Sequence, residues 1–306
     1  MKMIAAAEIE TKIYLRLLAL AGFDEDEVQR GLAVQTLRRL VLLHLCVQEW
    51  FVWRVAVNPP YSKQVVFFCA CAYTLGLCLG WRDRGSRAAF AFVLVVSTIR
   101  LANQFPFAAN HHYLELGILA LGTLFDDRRK GEAQLLLQSC RWLVATVLFW
   151  AGLQKILHGY YFGGEFFSYA ISQEARFAQI FGLLLPSDEL LRLQSYGQPA
   201  PLGAGPYRAT SWALLLVSNA TYLTEILVAI GLFVRRLRPL VVCAAMALIV
   251  AIEVAAREVF FGALYLGLIT LFSRRALNWR LLPIFVALYA YLLAAGFGFV
   301  PMWGAH

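Results

Sequence analysis

Apolar residues fall into nine blocks along the chain, at 38–57, 64–80, 88–104, 113–125, 135–157, 211–233, 239–256, 259–272 and 281–300. Blocks of roughly 15–23 residues are about as long as a bilayer core is thick when coiled into helix. Backbone polar groups in lipid must pair within their own segment, so such blocks are helices rather than open sheet. The pattern predicts an all-α integral membrane protein with nine transmembrane helices. Residues 1–37 differ. Ile9, Ile13, Tyr14, Leu17 and Leu18 make an apolar stripe ahead of Asp24-Glu25-Asp26-Glu27, which reads as an interfacial amphipathic helix and a loop. The apolar core Leu17 to Ala21 is too short for a signal peptide. Residues 38–306 then form a single polytopic domain. Its one long connection, 158–210, is rich in Gly, Pro and aromatics, and irregular loops of that length are more often functional than idle.

Composition removes the soluble alternative. The chain is 60% hydrophobic and 15% charged, whereas a soluble domain is nearer half apolar and a quarter charged. The net charge of +8 does not point to nucleic acid, because the basic residues cluster between the apolar blocks. Arg82, Arg84 and Arg87, then Arg128, Arg129 and Lys130, then Arg235, Arg236 and Arg238, then Arg274, Arg275 and Arg280 occupy alternate connections. Positive charge resists translocation, so these connections are expected on the cytoplasmic side. That places the N-terminus inside and the 158–210 connection outside, in a bacterial inner membrane or its equivalent. The six cysteines lie within apolar blocks and read as packing residues, not as a disulfide framework. Asn219-Ala-Thr221 matches a glycosylation sequon but sits inside an apolar block.

Charges at membrane depth mark function more often than chance. His44, Gln48, Glu49, Arg54, Arg141, Lys155, Glu225, Glu253 and Arg257 qualify, and Asn110, His111 and His112 open the fourth block. With the orientation above, Asn110, His111, Lys155, Glu253 and Arg257 are expected to line one cavity open to the non-cytoplasmic side. Each has a plainer reading: Lys155 and Arg141 as snorkelling side chains, Glu225 as the structural partner of Arg141 or Arg54, the histidines as interfacial anchors. Adjacent histidines are poorly spaced for one metal, which favours i and i+4, so no metal is expected.

Arg141, the apolar stretch Trp142–Trp150, Ala151-Gly152-Leu153-Gln154-Lys155, and Tyr160 with Gly163 resemble the core motif of the HTTM (horizontally transferred transmembrane) family, which includes the vitamin K-dependent gamma-glutamyl carboxylases. Asn110-His111-His112-Tyr113-Leu114 is similar to the carboxylases' Asn-His-x-Tyr-Leu. Thr221 to Phe233, with Glu225 early in a helix, is a weaker match. The resemblance implies that Lys155 is a base that starts oxidation of a reduced, vitamin K-like quinone, using dioxygen and carbon dioxide. It implies that His111 meets a quinone oxygen, and that Asn110, Tyr113, Gly152, Tyr160 and Glu225 bind substrate or cofactor. Desolvation disfavours an ammonium, which suits a buried lysine to that task, and Gly152 leaves room for a flat ring to approach the helix backbone. The chain departs from the carboxylases at Ile252-Glu253-Val254 and Phe261-Gly262, where they carry a histidine ahead of Ile-Gly-x-Phe, and the resemblance, which covers most of residues 35–275, does not extend to their large soluble C-terminal region.

Three functions compete. One is a quinone-linked oxidase or carboxylase modifying a peptide or protein at the outer face. Another is a non-catalytic maturation or export factor, or a scaffold, for a small secreted peptide. The third is a membrane carrier, for which paired broken helices or an internal repeat are expected and neither is visible. The expected partners are the lipid bilayer and a small precursor peptide or secreted protein.

Overall fold

The computed structural model describes residues 27–55, 62–81, 86–105, 110–126, 129, 131–196, 201–273 and 281–301. The amphipathic stripe at 9–18 and the basic residues Arg82, Arg84, Arg128, Lys130, Arg274, Arg275 and Arg280 lie outside them. The described residues are all-helical, without strands. Twelve α-helices follow in order: α1 (Glu27–Val55), α2 (Lys63–Gly80), α3 (Ser86–Gln104), α4 (Asn110–Leu124), α5 (Glu132–His158), α6 (Glu165–Gln173), α7 (Ala175–Phe181), α8 (Ser187–Gln194), α9 (Trp212–Gly231), α10 (Arg238–Ala256), α11 (Val259–Ile269) and α12 (Leu282–Gly296). Each of the nine predicted apolar blocks holds one main helix, those in 113–125, 259–272 and 281–300 being short. Five of these, α2, α3, α5, α9 and α10, are long and apolar enough to cross a membrane.

Two differences from expectation have physical causes. α1 begins at Glu27 rather than near residue 38. Its middle, from Ala33 to Glu49, is buried on nearly every face, polar side chains included, so protein and not lipid is its solvent. The 158–210 connection is no irregular loop: it folds into α6, α7 and α8. Helices this short are unstable in isolation, and these are held by a core of Phe167, Ile171, Phe177, Phe181, Leu193 and Tyr207. Only two of these positions fall in α6 (167 and 171), two in α7 (177 and 181) and one in α8 (193), too few in each for a periodicity to be seen beforehand.

The chain divides into two compact units: residues 1–144, 234–236 and 263–306, and residues 145–233 and 237–262. In the first, α1 packs against α2 and α12, α2 against α3, and α3 against α4. Small residues permit the close crossings. A Cβ on Gly76 would lie 2.3 Å from Val93, and one on Gly80 2.3 Å from Leu42. In the second unit α9 packs on α10, and α6 on α7 and α8. α9 turns Leu216, Leu223, Leu227 and Ile230 outward, an apolar stripe suited to lipid. The cysteines are all free, with Cys69 buried and Cys71 exposed on opposite faces of α2.

A helix leaves its last carbonyls without intrahelical partners. At the end of α4 two arginines supply them. Arg38 donates from Nη2 to the carbonyls of Gly122 at 3.1 Å and Phe125 at 3.2 Å, and from Nη1 to Ser86 Oγ at 3.2 Å. Arg87 Nε donates to the Thr123 carbonyl at 2.8 Å. Arg38 is fully buried, so its loss strands acceptors that water does not reach. Arg38→Met is expected to cost on the order of 3 kcal/mol, read as a clear fall in the melting temperature of detergent-purified protein, whereas Arg87→Met, at an exposed arginine, falls far less.

Candidate polar centres

One group of the first unit's buried charges surrounds Glu115. α1 presents His44, Gln48 and Glu49 on one side, α3 brings Arg100, α4 brings His111, His112 and Glu115, and α12 brings Tyr289. Glu115 Oε1 lies 3.1 Å from His44 Nε2, and its Oε2 lies 3.1 Å from His112 Nδ1. His44 Nδ1 is 2.9 Å from the Tyr289 hydroxyl. A carboxylate only accepts, so both imidazoles donate to Glu115. Arg100 Nε pairs with Glu49 Oε2 at 3.2 Å, and its Nη1 stands 3.8 Å from Glu115 Oε2. Every one of Glu49, Arg100 and Glu115 is buried, so these charges depend on one another and on the imidazoles for partners.

His111 sits at the edge of that network, its Nε2 3.5 Å from Gln48 Nε2. Tyr113, expected at a binding site, is exposed on α4. Asn110 opens α4, and its side chain lies outside what the structure describes. The reason for setting a metal aside does not hold for this histidine pair. The two rings are tilted by 59° with centroids 4.2 Å apart, and donor atoms of His111, His112 and Glu115 all lie within 4.8 Å of one another.

The second unit has its own centre, built on α5 and α9. Lys155 Nζ lies 2.7 Å from Glu225 Oε1 and 2.6 Å from Oε2. The carboxylate side chain is 5% exposed and the lysine 19%, so the pair is closed on the glutamate side and open on the other. Glu225 therefore pairs with Lys155, not with Arg141 or Arg54. Arg54 is exposed, and Arg141 does not snorkel: it is buried, and its Nε donates to the Leu271 carbonyl at 2.7 Å within the first unit.

Gly152, one turn before Lys155, does not leave a face for a flat ring. A Cβ there would lie 2.7 Å from Ile226, 2.8 Å from the Tyr222 carbonyl and 3.2 Å from Glu225. The glycine instead lets α9 press against α5, which is what brings Glu225 within reach of Lys155. Past α5 the chain turns through Gly159 and Gly164, both at φ +74°, where a side chain is strained. Ser218 Oγ donates to the Tyr161 carbonyl at 2.6 Å, and Ala209 N to the Gly163 carbonyl at 2.9 Å, fastening this turn in place. The turn lays the ring of Tyr161 5.5 Å from Lys155 Nζ. Burial, with the Glu225 carboxylate nearby, pushes the Tyr161 hydroxyl above its ordinary value, so it stays a neutral phenol. Tyr160, expected at the site, is exposed and stacks on His158.

His111 thus belongs to the first unit and Lys155, Glu253 and Arg257 to the second. Arg257 ends α10 in the left-handed region at φ 56°, its Nη2 3.0 Å from Gln179 Oε1. Arg100, Glu115 and Tyr161 are the residues that sequence reasoning missed. The first two are charges inside the blocks 88–104 and 113–125, and Arg100 continues the buried stripe Phe90, Val93 and Ser97 of α3. The rule that singled out Lys155 applies to them equally.

No protein family, curated protein or solved structure matches the chain in comparison.

Removing one member of a buried ion pair leaves the other uncompensated. Lys155→Met is expected to destabilise the protein by on the order of 3 kcal/mol, and adding Glu225→Gln to recover most of it. Thermal melts of both variants in detergent check this; a double variant no better than the single one would mean that the pair is not coupled.

Proposed function

We propose that the chain is a multi-pass membrane protein of the HTTM type whose second unit carries an acid–base centre for a quinol-oxidising, carboxylase-like reaction on a peptide or protein. The observation that carries this reading is the Lys155–Glu225 pair, a carboxylate closed off from solvent behind a lysine that is open on its far side. A quinol hydroxyl meeting that open side loses its proton through Lys155 to Glu225. The ammonium then remains beside the oxyanion that forms, where a fixed cation stabilises it. Tyr161, a neutral phenol beside the pair, does not compete for the proton. Dioxygen and carbon dioxide are the co-substrates that the resemblance implies. The test is oxygen uptake and binding with a reduced naphthoquinone and purified protein. Wild type is expected to turn over, and Lys155→Ala and Glu225→Gln to lose roughly a hundredfold or more in rate. Wild-type protein that folds but neither binds quinol nor consumes oxygen overturns the enzymatic reading and favours handling of a secreted peptide, for which the exposed aromatics Tyr160, Phe162, Phe166 and Tyr169 offer a surface.

The topology that accompanies this reading has nine spans, a cytoplasmic N-terminus and α6 to α8 on the opposite side. Its support is the basic turn Arg235, Arg236 and Arg238 between α9 and α10, at the other end of α9 from the aromatic segment. A cysteine placed at Leu202, which is 95% exposed, is expected to react with a membrane-impermeant maleimide in right-side-out vesicles. One at Arg236 is expected to react only after permeabilisation. The reverse pattern would invert the orientation.

A further inference from the structure

α9 carries one exposed apolar stripe from end to end. Trp212, Leu216, Leu223, Leu227 and Ile230 recur at spacings of four, seven, four and three residues, which places them on one face of the helix. A helix of 20 residues is about 30 Å long, the thickness of a hydrocarbon core. Trp212 closes the stripe at one end, and Arg235, Arg236 and Arg238 stand beyond the other. Tryptophan at one boundary and arginines past the opposite one hold a spanning helix at a fixed depth.

Hydrogen bonds fix the connecting helices at the level of Trp212. Ser211 Oγ donates to the Leu184 carbonyl at 2.5 Å. Glu189 of α8 accepts from Thr210 N at 2.8 Å and from the Thr210 hydroxyl. α10 follows α9 through a short turn and packs on it, so Ala256 ends α10 near that same level. There Arg176 Nη1 of α7 donates to the Ala256 carbonyl, and Arg257 Nη2 donates to Gln179 Oε1 at 3.0 Å. α7 and α8 therefore lie across the ends of the two spans and do not stand away from them.

Leu183, between α7 and α8, is 85% exposed and Trp212 is 76% exposed, and each is one residue from the Ser211–Leu184 bond. A lone exposed leucine is ordinary on a surface in water. This one is fastened to the end of a stripe suited to lipid, at the depth where that stripe meets its tryptophan. We propose that Leu183 and Trp212 are interfacial anchors, and that the segment joining α7 to α8 rests on the boundary between lipid headgroups and acyl chains with Leu183 inserted into it. The occupant of this surface is the bilayer itself, and the short helices behave as a layer lying on the membrane.

The test reads depth and is independent of quinol activity and of orientation. Full-length protein carrying Cys71→Ala, Cys78→Ala and Cys243→Ala, which removes the exposed cysteines, takes a bimane label at Leu183→Cys or, as a mid-span reference, at Leu223→Cys. Both positions are exposed, so labelling leaves the core intact. Each sample is reconstituted into phosphatidylcholine vesicles whose two leaflets carry a nitroxide at a shallow or a deep acyl position. The label at 183 is expected to be quenched at least about twofold more by the shallow nitroxide than by the deep one, and the label at 223 to show the reverse. Quenching at 183 by aqueous iodide with no response to either nitroxide overturns the proposal and leaves this surface free for a peptide or protein. Quenching at 183 that favours the deep nitroxide, as at 223, overturns it as well.

Discussion

A carboxylate taken out of water loses more solvation than any packing contact returns, so each buried glutamate of this chain dictates the company around it. Glu115 draws in two imidazoles and stands beside a guanidinium that Glu49 holds. Glu225 draws in one ammonium, bonded to both of its oxygens. The helices that supply these partners are constrained to particular rotations about their axes. An α3 turned to hide only apolar residues would leave Glu49 unmatched. An α9 moved away from α5 would do the same to Glu225. Hydrophobic burial assembles helices with little preference for register, and these charges select among the registers.

The two centres differ in how they meet their surroundings. In the first unit the charges are enclosed and hydrogen-bonded on several sides, and only the histidines at the start of α4 approach the surface. In the second the pair is simple and one-sided, and the glycine-rich turn after α5 lays an aromatic ring against it. Enclosure suits the holding of structure. A one-sided pair suits transient contact with something that arrives and leaves.

Most of the helical framework was legible in the amino-acid order. Block lengths located one main helix in each of the nine blocks because a run of apolar residues and a helix in an apolar surrounding extend together, and α1 escapes that rule because its first turns are polar. α6 to α8 were not legible, since Phe167, Phe177 and Leu193 become a core only once the chain has folded back on itself. The candidate residues were legible as types but not as partners. Lys155 and Glu225 are conspicuous charges in apolar runs, yet nothing local joins positions so far apart. Gly152 was visible as a small residue near a lysine, and its use is the opposite of the one its sequence context implies. Space at a glycine is open to a ligand only if no neighbouring helix has taken it, and Tyr222 and Ile226 have.

That contact has a bearing on how the chain can change over time. Position 152 tolerates bulk only if position 226 gives it up, and even then the Tyr222 carbonyl stays where it is, because backbone cannot be traded away. The lysine and glutamate one turn further along are tied to the same crossing. Substitutions at 152, 155, 225 and 226 are therefore not independent events: drift at one narrows what the other three accept, and the four positions are expected to vary together among descendants of this sequence or not at all.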